Sequence, residues 1–216
     1  MVIRKRLAFL LIGVALVVPA PTAPPEANPL QTAGISGDPN KPRRHFRERS
    51  PALLDPGEAA KIYDELAQDL AALYAKSGHP VAEAYLSWRK VNTAPYLSAT
   101  HGNTYISNYV NDAGGAYADF EKSGTLPVGS IIAKPAFVVT RQGEIRPGPL
   151  FVMEKMPAGF KYVTGNWRYT QIMPDGVLFG ETDGEDAERV EYCIGCHLAM
   201  QHQDHLFYVP EAYRAK

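Results

Sequence analysis

The stretch from Asn103 to Val110 (NTYISNYV) decides the fold class of this chain of 216 residues. Its residues alternate in character as the side chains of a β-strand do, with successive side chains on opposite sides. Asn111-Asp112 and Gly114-Gly115 follow it as turn residues. Further short runs rich in β-forming residues, with Pro174-Asp175-Gly176 as the turn between the last two, cover residues 130–140, 148–155, 167–173 and 177–181. Short strands joined by turns predict an antiparallel sheet.

Helical patterns precede these runs. Asp55 is a predicted N-cap, Pro56 suits the first helical position, and Glu58 completes a capping box. The apolar residues that repeat at helical spacing are Ile62, Leu66, Leu70 and Leu73, and Gly78 ends the run. Shorter helices are predicted for residues 81–90, with Trp88 in the core, and for residues 116–122. The order of elements predicts an α+β fold, with N-terminal helices packed on a central antiparallel β-sheet.

The N-terminus has the pattern of an export signal. Arg4, Lys5 and Arg6 precede an apolar run from Leu7 to Val18, and small residues with prolines follow. We expect a signal peptide over residues 1–23, cleaved near residues 20–23, and a periplasmic protein. The apolar run is shorter than the roughly 20 residues that span a bilayer, so a permanent membrane anchor is not expected.

The remaining chain divides into a linker and one domain. Residues 24–51 are rich in proline and charge without apolar periodicity, which predicts a flexible linker. Residues 52–216 form the predicted domain, since a hydrophobic content of 45% is enough for one core. The net charge of −1 gives no indication of a nucleic-acid partner.

Both cysteines of the chain lie in the run Cys193-Ile194-Gly195-Cys196-His197. This is the spacing that tethers a c-type haem: two thiols bond the vinyl groups, and the adjacent histidine is the axial ligand of the iron. The alternative is a Cys-x-x-Cys redox pair that happens to precede a histidine. A zinc site would need more ligands than this run supplies. We therefore predict one covalently bound haem c.

A set of spaced segments resembles the cytochrome P-460 family, which includes the cross-linked P-460 enzymes and the cytochromes c′-beta. The resemblance covers residues 103–208. Its segments, in chain order, are Tyr109-Val110-Asn111, Leu126 to Lys134 (LPVGSIIAK), Met153-Glu154-Lys155, Gly165 to Tyr169 (GNWRY), and Cys193 to His197 followed by Asp204 and Phe207.

The resemblance implies a predominantly β domain, often dimeric, with a five-coordinate haem c. The proximal ligand would be His197, and the opposite face would stay open to a small nitrogen compound. In the P-460 enzymes a lysine at the position of Lys134 is bonded covalently to the porphyrin, whereas the c′-beta proteins lack this bond. Pro135 follows Lys134 directly and departs from the family pattern, because proline cannot donate to a sheet. Cross-linking would also require a lowered lysine pKa.

Other residues are candidates for the haem site. Arg168 could pair with a haem propionate, although a surface arginine is the alternative. Glu144 and Glu188 could accept protons, and Phe137 and Phe151 could form an apolar cap. The possible sixth iron ligands are Met153, Met156, Met173, Met200 and His101; His202 and His205 lie just beyond the motif.

The resemblance therefore implies an oxidoreductase that oxidises hydroxylamine or a related small nitrogen compound and passes electrons to a soluble redox partner. One alternative is a non-catalytic nitric oxide binding protein of c′-beta type. The other is a simple electron-transfer cytochrome with a six-coordinate iron.

Overall fold

The computed structural model describes residues 47–216. The predicted signal peptide and most of the predicted linker lie outside these residues. Within residues 47–216, no helix has the length and apolar character needed to cross a membrane.

An antiparallel sheet of eight strands forms the centre of the domain. The strands are β1 (Arg89–Lys90), β2 (Tyr96–Ser98), β3 (Thr104–Ile106), β4 (Tyr109–Val110), β5 (Ile131–Val139), β6 (Ile145–Lys155), β7 (Trp167–Ile172) and β8 (Leu178–Glu181). Their main order is β1-β4-β5-β6-β7-β8, while β3 pairs with both β5 and β2. The two longest strands, β5 and β6, lie in the middle. The α+β prediction is confirmed.

Both faces of the sheet are covered. Side chains alternate across the strands, so Ala133 and Val152 belong to the core on one face, while Ile132 and Met153 belong to the core on the other. Helix α1 (Pro56–Ala75) covers the first face. The C-terminal segment covers the second face, together with helix α3 (Glu191–Leu198).

The capping box of α1 is confirmed. The Asp55 carboxylate accepts a hydrogen bond from the Glu58 backbone N–H at 2.9 Å, and the Glu58 carboxylate accepts one from the Asp55 N–H at 3.1 Å. Pro56 is the first helical residue. These contacts satisfy backbone donors that would otherwise lack a partner at the start of the helix.

The buried face of α1 is centred on tyrosines, whereas the sequence predicted an aliphatic face. Tyr63 and Tyr74 are buried with Leu70, while Ile62 and Leu66 are only partly buried. A tyrosine can be buried when its hydroxyl finds a partner. The Tyr63 hydroxyl donates to the Tyr109 hydroxyl at 3.0 Å.

Tyr74 stabilises the irregular part of β5 that contains Pro135. The pairing of β5 with β6 shifts register between Pro135 and Phe137. The Tyr74 hydroxyl donates to the Gly148 carbonyl at 2.7 Å and accepts from the Ala136 N–H at 3.4 Å. Pro135 is therefore accommodated within a continuous strand, because a side chain from α1 satisfies backbone groups at the irregularity.

Several predicted boundaries are wrong. The run 103–110 is two short strands, because Ser107 and Asn108 turn inward: the Asn108 N–H donates to the Asn92 side chain at 2.7 Å. The helix predicted for 81–90 ends at Ala84 as α2 (Pro80–Ala84), and a 3-10 turn and β1 follow it. The helix predicted for 116–122 is a kinked 3-10 segment, Asp112–Lys122.

The last residues of the predicted linker contact the domain. The Glu48 N–H donates to the Gly102 carbonyl at 2.8 Å, and the Arg141 N–H donates to the Ser50 carbonyl at 3.0 Å. Pro51 forms an isolated bridge with Thr140. Glu48, Ser50 and Pro51, which the sequence pattern assigned to the linker, therefore contact the domain.

Replacing Tyr74 with phenylalanine tests the link between α1 and the strand irregularity. Tyr74→Phe leaves the Gly148 carbonyl and the Ala136 N–H without their buried partner, which should lower the free energy of unfolding by about 1–3 kcal/mol. Urea denaturation followed by circular dichroism measures it. The matched control is Tyr162→Phe, because Tyr162 is 97% exposed. Equal stabilities of the two variants would contradict this role of Tyr74.

Candidate functional site

Helix α3 (Glu191–Leu198) brings the predicted haem-binding residues together. Cys193, Cys196 and His197 are three and four residues apart, so they lie on one face of the helix. All three line the same pocket on the second face of the sheet. Both thiols are free. The three residues of the predicted haem motif therefore face the same pocket.

His197 is held in one orientation by the loop that follows α3. Its Nδ1 lies 2.6 Å from the His205 carbonyl oxygen, and the residue is 6% exposed. A carbonyl can only accept, so Nδ1 carries the proton and the lone pair lies on Nε2. The ring also packs against Tyr169 at 5.0 Å and, edge to face, against Phe207 at 5.1 Å between ring centroids. Nε2 is thus the atom that could bind a metal.

The loop that carries the His205 carbonyl has unusual backbone geometry. Asp204 and His205 both have positive φ, 56° and 61°. For residues other than glycine, this left-handed backbone conformation costs about 1–3 kcal/mol per residue. It persists only where surrounding contacts enforce it.

Asp204 provides those contacts. Its carboxylate forms an ion pair with the Lys155 ammonium, and side-chain exposure is only 6% for Asp204 and 8% for Lys155. The same carboxylate accepts from the Leu126 N–H at 2.9 Å. Its backbone carbonyl accepts from the Trp167 indole N–H at 2.8 Å. Residues from three separate segments thus fix the turn that orients His197.

These three segments and the turn at Asp204 belong to four of the five segments on which the sequence resemblance rests. Leu126 begins LPVGSIIAK, Lys155 ends Met153-Glu154-Lys155, and Trp167 lies in GNWRY. Lys155 also donates to the Gly165 carbonyl at 2.9 Å. No sequence pattern predicted that they meet at Asp204, because each segment is locally an ordinary strand or turn.

The pocket between α3 and the sheet is mostly apolar and open on one side, and its volume is about 540 Å³ with the open mouth included. The residues that line it are Thr100, His101, Lys134, Phe151, Val152, Met153, Tyr169, Thr170, Cys193, Cys196, His197 and Phe207. Of the predicted candidates, Lys134, His101, Met153 and Phe151 are here. A flat apolar prosthetic group with one ligand for its metal suits this lining.

Lys134 is buried in the pocket. It lies in the middle of β5, directly opposite Phe151 on β6, and is only 3% exposed. Burial lowers the pKa of its ammonium to about 8. A lysine in a strand ordinarily has its ammonium in solvent, whereas the side chain of Lys134 is enclosed by the pocket.

Cys193 does not have the environment of the reactive thiol in a redox pair. The enclosed surroundings of Cys193 raise the pKa of its thiol to about 12. Reactive Cys-x-x-Cys pairs depend on a lowered thiol pKa, since the thiolate is the nucleophile. The environment of Cys193 therefore favours the tether over thiol–disulfide exchange.

Arg168 does not line the pocket, which argues against its predicted pairing with a haem propionate. Trp167 and Tyr169 are buried in one core, and Arg168 between them on β7 points to the opposite side. On that opposite side Arg168 lies 3.6 Å from Glu154 and 3.8 Å from Glu181, measured between charged atoms. Arg168 there forms ion pairs that link β7 to β6 and β8.

The other candidates lie elsewhere. Phe137 packs in the core of the first face between Tyr63 and Tyr105, so it cannot cap the pocket. Glu144 is exposed and paired with Arg146, and Glu188 is exposed. The remaining candidates that do not line the pocket are Met156, Met173, Met200, His202 and His205.

The residues present fit a haem. One pocket holds two thiols, a histidine whose Nε2 lone pair is fixed by a carbonyl, and apolar walls from Phe151, Met153 and Phe207. Among the comparisons with known proteins, the family model described as cytochrome P460 matches residues 82–208. No curated protein matches the chain.

Removing the charge of Asp204 tests the network beneath His197. Asp204→Asn keeps a residue that tolerates positive φ but leaves the buried Lys155 ammonium without a counter-charge, which should cost about 3–5 kcal/mol of unfolding free energy. The matched control is Asp183→Asn, since Asp183 also has positive φ, 57°, and pairs with Lys161 on the surface. Exposed pairs contribute less than about 1 kcal/mol. Chemical denaturation of both variants gives the comparison, and equal losses would contradict the network.

Proposed function

The chain belongs to the cytochrome P460 family, which implies a c-type cytochrome with a haem cofactor, and from this premise we propose that it oxidises hydroxylamine or a related small nitrogen compound. The observation that supports this most strongly is the buried Lys134 in the same pocket as Cys193, Cys196 and His197. By resemblance to the family, a lysine at this position, bonded to the porphyrin, is the feature by which the P-460 enzymes differ from the c′-beta proteins.

The haem would be held by α3. Cys193 and Cys196 would each add a thiol across one vinyl group, the sulfur bonding one carbon and the hydrogen the other, so that nothing is released. His197 Nε2 would be the axial ligand. When bound, the haem supplies an iron that binds the substrate and accepts its electrons.

Lys134 would be bonded to the porphyrin. The Nζ–H bond and a porphyrin C–H bond would be replaced by one Nζ–C bond, with release of two electrons and two protons. This step requires an oxidant, and a peroxide is the class we propose. Hydrogen peroxide would accept the two electrons and the two protons and become two molecules of water. Only the neutral amine has a lone pair for the new bond, so the lowered pKa of Lys134 supports this step.

The proposed reaction also has a simple balance. Oxidation of hydroxylamine to nitric oxide, or to nitrous oxide and water, removes one proton with every electron. A soluble one-electron acceptor would take the electrons through the haem edge. Residues of the pocket would take the protons.

The cellular setting is part of the same proposal. The N-terminal pattern supports export to the periplasm, where the acceptor would be another soluble redox protein. A homodimer is the expected assembly, by resemblance to the family.

Two other functions are each favoured by one residue of the pocket. Phe151 is 8% exposed and lines the pocket, as an apolar cap for a nitric oxide binding protein would. Met153 lines it too, and a thioether on the iron would give a simple electron carrier.

Optical spectra of the purified haem protein distinguish these functions. We expect a red-shifted ferrous Soret band in the wild type and an ordinary haem c spectrum in Lys134→Ala, because the variant cannot form the Nζ–C bond. The control is Lys61→Ala, since Lys61 is exposed on α1. Hydroxylamine oxidation with a one-electron acceptor should fall in Lys134→Ala only. Ordinary high-spin spectra in all three proteins would favour nitric oxide binding, and low-spin spectra would favour an electron carrier.

The cross-linking rate should depend on pH through Lys134. The neutral amine is the reactive form and its fraction rises as pH passes the pKa of about 8. In protein matured without oxygen and then given peroxide, the rate should increase about tenfold between pH 7 and pH 9 and then level off. Mass spectrometry of a protease digest measures it, because the cross-link joins the Lys134 peptide to the haem peptide. A rate that falls with pH would contradict the role of the neutral amine.

A further inference from the structure

The loop between β2 and β3 brings a second histidine to the pocket. His101 lines it together with Thr100, Lys134 and Phe151. Its ring lies 4.8 Å from the Phe151 ring, between centroids, at an interplanar angle of 60°. Phe151 pairs in register with Lys134. His101 therefore borders the part of the pocket that contains the proposed cross-link, whereas His197 packs against Tyr169 and Phe207.

The backbone of this loop is held from two sides. The Thr104 hydroxyl donates to the His101 carbonyl at 3.0 Å. The Gly102 carbonyl accepts from the Glu48 N–H at 2.8 Å, and the Asn103 side chain donates to the Glu48 carbonyl at 2.8 Å. A short loop with this many contacts is a rigid support for a side chain.

The His101 ring has a fixed partner as well. Its Nδ1 lies 2.8 Å from the Ser98 hydroxyl, and Ser98 is buried. A hydroxyl can accept from Nδ1–H both when the ring is neutral and when it is protonated. With Nδ1–H donating to Ser98, the proton would be taken up at Nε2 without loss of this hydrogen bond.

The other titratable groups of the pocket have different chemical roles. Cys193 and Cys196 would be consumed by the tether, and His197 by the iron. Lys134, once bonded to the porphyrin, would carry a nitrogen conjugated with the macrocycle, which is a poor base. Tyr169 is a phenol whose pKa is raised by burial, so it does not act as a base near neutral pH.

We propose that His101 is the proton acceptor of the open side of the haem pocket, with Ser98 as the positioning residue of its ring. The proposal rests on the proposed function in that it requires a haem in the pocket. Substrate oxidation releases one proton with each electron, and His101 Nε2 would accept that proton from the substrate nitrogen or oxygen. His101 is half-buried, so the proton can pass from it to solvent.

Cyanide is the probe that tests this without the oxidation reaction. Hydrogen cyanide binds ferric haem as the anion, so its proton must be accepted in the pocket. In the holoprotein, His101→Ala and His101→Gln should both slow cyanide association by about 10–100-fold, because neither side chain can take up the proton. Ser98→Ala should give a smaller loss. The control is His202→Ala, an exposed histidine outside the pocket, which should match the wild type.

The readouts separate this role from a structural one and from the proposed function. Stopped-flow spectroscopy across pH 5–9 should show that the rate of cyanide association in the wild type depends on a titrating group that is absent in His101→Gln. The thermal unfolding midpoints of the wild type and the variant should stay equal. Rates within twofold of the wild type in both His101 variants would overturn the proposal. So would a low-spin ferric wild type that becomes high-spin in His101→Ala, since His101 would then be an iron ligand. A wild type that binds cyanide as expected but does not oxidise hydroxylamine would refute the proposed function alone.

Discussion

The buried ion pair between Lys155 and Asp204 is the constraint on which the rest of the site depends. Breaking such a pair is costly because a single charge would remain in a poorly solvating interior. Asp204 is therefore held where its neighbour His205 can direct a carbonyl at His197 Nδ1. An interaction between the end of a strand and a C-terminal turn thus sets the tautomer and direction of His197. The left-handed backbone at both turn residues follows from the same contact.

The sheet separates two tasks between its faces. Helix α1 packs on one face and uses Tyr74 to satisfy the irregular backbone beside Pro135. The opposite face carries the pocket, and Lys134 points into it from the same stretch of β5. The side chain that could react with a porphyrin is thus supported from behind by a tyrosine of the helical layer. β5 has neighbouring strands on both sides, so Lys134 does not lie at an edge of the sheet, and the residue is only 3% exposed.

Burial changes the chemistry of both reactive groups in the pocket in the same direction, toward the neutral form. It lowers the pKa of Lys134 and raises that of Cys193. Desolvation disfavours whichever form is charged, so an amine becomes a better nucleophile while a thiol becomes less reactive as a thiolate. This combination suits a covalent haem site and not a thiol redox site. It also explains why Lys134 and Cys193 can line the same apolar pocket.

The sequence by itself determined the local features. The capping box at Asp55 and the common helix face of Cys193, Cys196 and His197 follow from spacing along one helix, and the α+β class follows from the order of patterns. Only the tertiary structure decided that Lys134 is buried, that Arg168 faces away from the pocket, and that His101 reaches it. The reason is physical: spacing controls which side chains share an element. Burial, charge pairing and positive φ at Asp204 depend on contacts between segments far apart in the chain.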